Sequence, residues 1–136
     1  MMNYQEALAW LDELNTFGIQ LGLRRIERLT ELLGRPERRY RTVHVTGTNG
    51  KGSASAMLAA ALSCSGFRTA LYTSPHLASY TERMRIDGHE ISEVAFAQTL
   101  TRVRQAVERL TAGGEESPTQ FEVLTAQAFL WFAEER

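Results

Sequence analysis

The sequence predicts an α/β domain of three layers with a mostly parallel sheet, on three observations. RTVHV, residues 41 to 45, is a short β-branched run that reads as a buried strand. The glycine-rich turn TGTNGKGS follows it, and SASAMLAAALSCSG then supplies small helix formers up to Gly66. TALYT reads as the next strand, so residues 41 to 73 have the pattern of a βαβ crossover, the unit from which parallel sheets are built.

The remaining elements follow in chain order. Tyr4, Ala7, Leu8, Leu11 and Leu14 recur at helical spacing behind Asn3, an N-cap with Glu6 three positions on. Ile26, Leu29, Leu32 and Leu33 make a second stripe ended by Gly34 and Pro36, and FGIQLGL between the two reads as a loop. Asp87-Gly88 between short alternating runs predicts a hairpin. Ser92 is placed to cap a helix with Phe96, Leu100, Val103, Val107 and Leu110 on its apolar face. GGEESP is the linker candidate, and TQFEVLTAQAFLWFAEER begins a last helix apolar on most sides, which needs cover on both faces. Trp10 and Trp131 fall on apolar helix faces and are expected in the core.

A chain of 136 residues can bury roughly two thirds of its unfolded surface, so one compact domain is possible. Fifteen Lys+Arg against 16 Asp+Glu give a formal charge of -1, which removes any bulk electrostatic case for nucleic acid or an acidic membrane. The single cysteine, Cys64, forms no internal disulfide and is expected as a small helix residue, making a reducing cytosol the default. No stretch reaches the length of a membrane span. The chain ends on charged residues without a C-cap signal, and a fragment of something longer is expected.

Function points first to residues 46 to 53. Lys51 is the only lysine beside 14 arginines and stands between two glycines. A loop from strand to helix aims backbone N–H groups and the positive end of the helix dipole at one small volume, which suits phosphate. Gly47, Gly50 and Gly52 are expected to give close backbone approach and positive φ, and a compact ammonium fits where a planar guanidinium is too broad. The pattern departs from GxxxxGK[ST], because position 45 is Val and the hydroxyl arrives one residue late, at Ser53. In the usual loop that hydroxyl binds Mg2+, and Ser53 is given the same role.

Other stretches admit two readings each. Ser74, Pro75 and His76 either face the crevice beyond the strand ends, with Lys51, or form a proline turn with a surface histidine. His44 is expected as a packed core histidine and His89 as solvated. Glu122 closes a Thr119-x-x-Glu capping box, or it accepts N–H donors from a heterocycle on which Phe121 stacks. Arg24 and Arg25 read as a solvated helix start.

Together, HVTGTNGKGSASAML, YTSPHLASYTERMRIDGHEIS, PTQFEVLTAQAFLWFAEE and LGLRRIERLTELLG resemble, in order and spacing, the N-terminal part of folylpolyglutamate synthase and bifunctional dihydrofolate synthase, members of the Mur ligase superfamily. The resemblance implies that residues 1 to 136 are the N-terminal part of an ATP-binding, Mur-ligase-like domain lacking the C-terminal domain. It implies ATP phosphates on Asn49, Gly50, Lys51 and Gly52 and Mg2+ on Ser74; the loop reading adds Thr48 and Ser53 to the phosphate-binding set, Lys51 as the catalytic cation and Ser53 as a further Mg2+ ligand. It also implies that Gln20, Leu21, Gly22 and Leu23 with Thr119, Gln120, Phe121 and Glu122 line the site for a folate or dihydropteroate, to which the crevice reading adds His76. The implied reaction joins L-glutamate to that partner through an acyl phosphate, with ADP released. Family members continue with a glutamate-bearing strand, a metal-binding histidine, a modified lysine and a second domain, so the 136 residues alone are expected to be inactive. A non-catalytic nucleotide- or pterin-binding module and an unrelated phosphotransferase are the alternatives.

Overall fold

A computed structural model describes residues 1–18 and 20–136. Ile19, inside the stretch read as a loop, lies outside the described residues. The chain divides into two compact units, Met1–Arg39 with Glu93–Glu135, and Tyr40–Ser92.

The first unit is helical. Helix α1 spans Tyr4–Leu14, α2 Arg24–Leu32, α4 Glu93–Ala112 and α5 Gln120–Glu134. Asn3 caps α1 as expected: its side chain accepts the Glu6 N–H at 2.9 Å, while Glu6 accepts the Asn3 N–H at 3.1 Å. Leu11, Leu29, Phe96, Leu100, Val103, Val123 and Leu124 are completely buried and form the core. The ring of Tyr4 meets Phe96 edge to face at 5.7 Å, a favoured aromatic geometry. Ten of the 15 residues of α5 are buried, as the lack of a polar face requires. Trp10 and Trp131 are buried, as their helix faces predict.

The second unit holds helix α3, Lys51–Cys64, and the strands β1, Ala70–Tyr72, β2, Met84–Ile86, and β3, His89–Glu90. These three form a sheet in the order β1-β2-β3, antiparallel throughout, with Tyr72 opposite Met84 and Ile86 opposite His89. The expected hairpin is present, with Asp87 at φ 49° and Gly88 at φ 83°, the two positive angles a two-residue turn of this hand needs. The Asp87 carboxylate accepts from the Thr69 N–H at 2.9 Å and the Ser63 hydroxyl at 3.0 Å, which ties the last turn of α3 to the hairpin.

Among the described residues the expected parallel sheet is not present, the one small sheet being antiparallel. Residues 41 to 45 run without a ladder partner, with Arg41 to His44 exposed. His44 is therefore not a core histidine. The physical reason is that a β-branched run is only half of a strand: a parallel pair needs a neighbour delivered by a distant segment, whereas β2 and β3 are supplied to each other by a two-residue turn. Helix α3 likewise buries none of its residues, and Met57 stays exposed.

Truncation of Leu100 to alanine is expected to lower the unfolding free energy by about 2 to 5 kcal/mol. Leu21→Ala, at a side chain 93% exposed, should fall within about 0.5 kcal/mol of wild type. Denaturant titrations of the two variants check both values.

Candidate functional site

Within the second unit the glycine-rich turn has the backbone its composition requires. Gly47 sits at φ 149° and Gly50 at φ 75°, the left-handed N-cap of α3. Gly52 does not share the positive φ expected of it, because it already lies in the first turn of the helix. Lys51 is the first helical residue and is exposed, with no ion pair among the described residues. Thr48, Asn49 and Ser53 are exposed too. Over this 14-residue helix the amides of the first turn have no intrahelical partners, and with the ammonium they present a concentrated positive potential.

The stretch after β1 is held by a device the sequence reading passed over. The Glu82 carboxylate accepts three successive backbone N–H groups, Leu77 at 3.2 Å, Ala78 at 2.7 Å and Ser79 at 2.6 Å. Ser79 and Glu82 form a full capping box, and its signature, S-x-x-E in SYTE, is legible in the sequence. The amides of Ser79, Ala78 and Leu77 hold the Glu82 pKa below the usual carboxylate range, against a smaller opposing effect of burial. Ser74, in a cis bond to Pro75, is exposed.

His76 is half-buried, packs on Tyr80 at 4.3 Å between centroids, and accepts the Arg83 Nε–H through Nδ1 at 2.7 Å. Burial and then the Arg83 charge push its pKa down. The ring is therefore neutral at pH 7 with its proton on Nε2, a donor. It is neither a simple surface histidine nor joined to Lys51 by any bond among the described residues.

In the first unit, Thr119 and Glu122 realise the capping box. Glu122 Oε1 accepts the Thr119 N–H at 2.9 Å and Thr119 Oγ1 accepts the Glu122 N–H at 3.2 Å. The same Oε1 also accepts Arg25 Nε–H at 2.9 Å. The side chains of Arg25 and Glu122 are 11% and 10% exposed, so Arg25 is not the solvated helix start that its position predicts. Arg25 further donates to the carbonyl oxygen of Gln20 at 2.9 Å. Gln120 donates to the Leu11 carbonyl at 2.9 Å. The two segments tied by Arg25 also carry three exposed apolar side chains, Leu21, Leu23 and Phe121, the last 54% exposed. An aromatic face and leucines left in solvent beside a charge-neutralised, hydrogen-bonded frame suit a flat heterocycle.

An open cleft of about 370 Å³ lies beside this frame, lined by Arg24, Arg25, Arg28, Glu115 and Glu116 among others. Its charges largely answer one another: Arg28 holds Glu115 through two bonds, at 2.9 and 3.1 Å. Among the described residues no group of three His, Cys, Asp or Glu side chains is placed to hold a metal ion. No helix of the described residues is long and apolar enough to cross a membrane.

A helical unit and a second unit with a small antiparallel sheet and a glycine-capped, cationic helix start define the class as an α/β protein. The comparisons are more specific. The chain is 38% identical over 131 residues to the dihydrofolate synthase/folylpolyglutamate synthase of Bacillus subtilis, covering 96% of this chain and 30% of that protein. It is 39% identical over 132 residues to the folylpolyglutamate synthase of Lacticaseibacillus casei, covering 96% of this chain and 31% of that protein. The crystal structure of folylpolyglutamate synthase from Thermotoga maritima superposes with a TM-score of 0.88 at 39% identity, over 97% of this chain and 30% of that one. A folylpolyglutamate synthase structure described as an AMPPCP-folate complex superposes at 0.89 with 38% identity, over 98% of this chain and 33% of that one. No protein-family model matches the chain. Over nearly its whole length, then, this chain is a homologue of folylpolyglutamate and dihydrofolate synthases, and it spans about a third of their length.

The Glu82 capping device has a pH consequence. A carboxylate whose folded pKa is depressed stabilises the fold above the ordinary carboxylate range, and that contribution fades as pH falls through the depressed value. Melting curves of wild type and Glu82→Gln should therefore differ at pH 7 and converge in acid. A gap independent of pH would refute the assigned cause.

Proposed function

We propose that the full-length polypeptide carrying this chain is an ATP-dependent, ADP-forming amide ligase that joins L-glutamate to a folate or to dihydropteroate. The 136 residues would form part of its ATP-binding domain. The observation that carries this reading is Lys51, exposed and unpaired among the described residues, at the first position of α3 behind a left-handed Gly50. The relatives support it, since one related structure is described as an AMPPCP complex and another as an AMPPCP-folate complex.

A carboxylate does not condense with an amine in neutral water, because its oxygen is a poor leaving group. In the proposed reaction the pteroyl-side carboxylate oxygen attacks the γ-phosphorus and ADP departs. The glutamate amine then attacks the acyl carbon, loses a proton and expels phosphate. Amides of Asn49 to Gly52 and the Lys51 ammonium would stabilise charge on the transferring group. The exposed hydroxyls of Ser53 and Ser74 are hard oxygen donors of the kind magnesium accepts, and without a carboxylate cluster the ion would take most of its shell from phosphate and water. Bound there, magnesium would neutralise phosphate charge. Phe121, Leu21 and Leu23 would pack on the pterin, with Gln20, Gly22, Thr119 and Glu122 in the segments that carry them; Gln120 is held by the Leu11 carbonyl, and in the second unit His76 Nε2–H is available as a donor.

Lys51→Ala in the full-length protein is expected to lower kcat about 100-fold or more, read as ADP release that requires both glutamate and the pteroyl substrate. Undiminished turnover in that variant would overturn the loop's role. Phosphate transfer without any need for glutamate would instead identify a phosphotransferase, and nucleotide binding without ADP release a binding module.

A further inference from the structure

Arg25 belongs to neither the phosphate loop nor the apolar face, yet its three guanidinium nitrogens go to three different segments. Nε donates to Glu122 at the start of α5. One terminal nitrogen donates to the carbonyl of Gln20, at 2.9 Å, with the Leu21 carbonyl at 3.4 Å. The other lies 3.5 Å from the Glu116 carboxylate in the linker before α5. The two segments that supply Leu21, Leu23 and Phe121 are otherwise far apart in sequence, 97 residues separating Arg25 from Glu122. With Gly22 at φ 109°, the stretch from 20 to 23 has little conformational restriction of its own.

We propose that Arg25 is the positioning residue of the pteroyl site: it fixes the Gln20–Leu23 loop against the Thr119–Glu122 turn, so that Leu21, Leu23 and Phe121 present one preformed face. The inference rests on the assignment of that face to the pteroyl substrate. The side chain is 11% exposed and its donors are committed to protein, so it acts through the two segments and not by touching ligand. Only a planar fork reaches these directions at once. A lysine keeps a cation for Glu122 but, being a point donor, releases the loop carbonyls.

The test is steady-state kinetics on the full-length ligase with dihydropteroate or a folate varied against ATP. Arg25→Lys should raise KM for the pteroyl substrate about tenfold, with KM for ATP within twofold of wild type. Phe121→Ala is the companion variant. If Phe121→Ala leaves the pteroyl KM unchanged, the assignment of the face fails. If Phe121→Ala raises it and Arg25→Lys does not, the positioning role of Arg25 fails and the face stands.

Should Arg25→Lys prove unfolded, Glu122→Gln retains the capping box, since glutamine also serves there, and weakens the tie from the other side. Amide hydrogen exchange of residues 20 to 23 in the ligand-free protein should then accelerate. Unchanged exchange would overturn the proposal, because a direct contact between Glu122 and ligand alters nothing when ligand is absent.

Discussion

Arg25 and Glu122 place a guanidinium and a carboxylate 2.9 Å apart with about nine tenths of each side chain out of water. Neither charge could stay there alone, since desolvation of an unpaired ion is costly, so the position of each is conditional on the other. Much else in the first unit hangs on this pair. Glu122 also closes the N-cap of α5, the helix with the most buried residues in proportion to its length. Arg25 lies in the first turn of α2 and reaches back to the loop before it. The capping motif, the ion pair and the loop contact are therefore one connected structure, and the reading of Glu122 as cap or as ligand contact is not a choice between exclusive roles. Its Oε1 is committed to the cap and to Arg25.

The second unit uses carboxylates in the same way on backbone. Glu82 gathers three consecutive amides and Asp87 an amide and a hydroxyl. Each takes a segment with no repeating hydrogen-bond pattern and gives it one conformation. Asp87 does so at the C-terminal end of α3, the end away from Lys51.

Where the sequence reading succeeded, the interactions are local. The helices, the three-residue capping boxes and the Asp87-Gly88 hairpin involve residues within a few positions of one another, so spacing alone exposes them. Where it failed, the deciding partner lay far along the chain or was missing among the described residues. RTVHV has the composition of a strand, but composition does not provide a ladder, and His44 is exposed in consequence. Arg25 looks like any arginine at a helix start until a carboxylate 97 positions away withdraws it from solvent. Glu82 was the one avoidable omission, since SYTE carries the same signature that was recognised at TQFE.

By itself the sequence determined the helices, the hairpin, the left-handed glycines that open α3, and the likeness to a ligase family, because each is written in spacing or in a contiguous motif. Only the tertiary structure decided that the sheet is antiparallel, that His76 is neutral against Arg83, and that one arginine draws the Gln20–Leu23 loop and the Thr119–Glu122 turn together. Those outcomes depend on which distant groups share a desolvated space. Burial sets the strength of a charge or a hydrogen bond, and burial is a property of the folded chain as a whole.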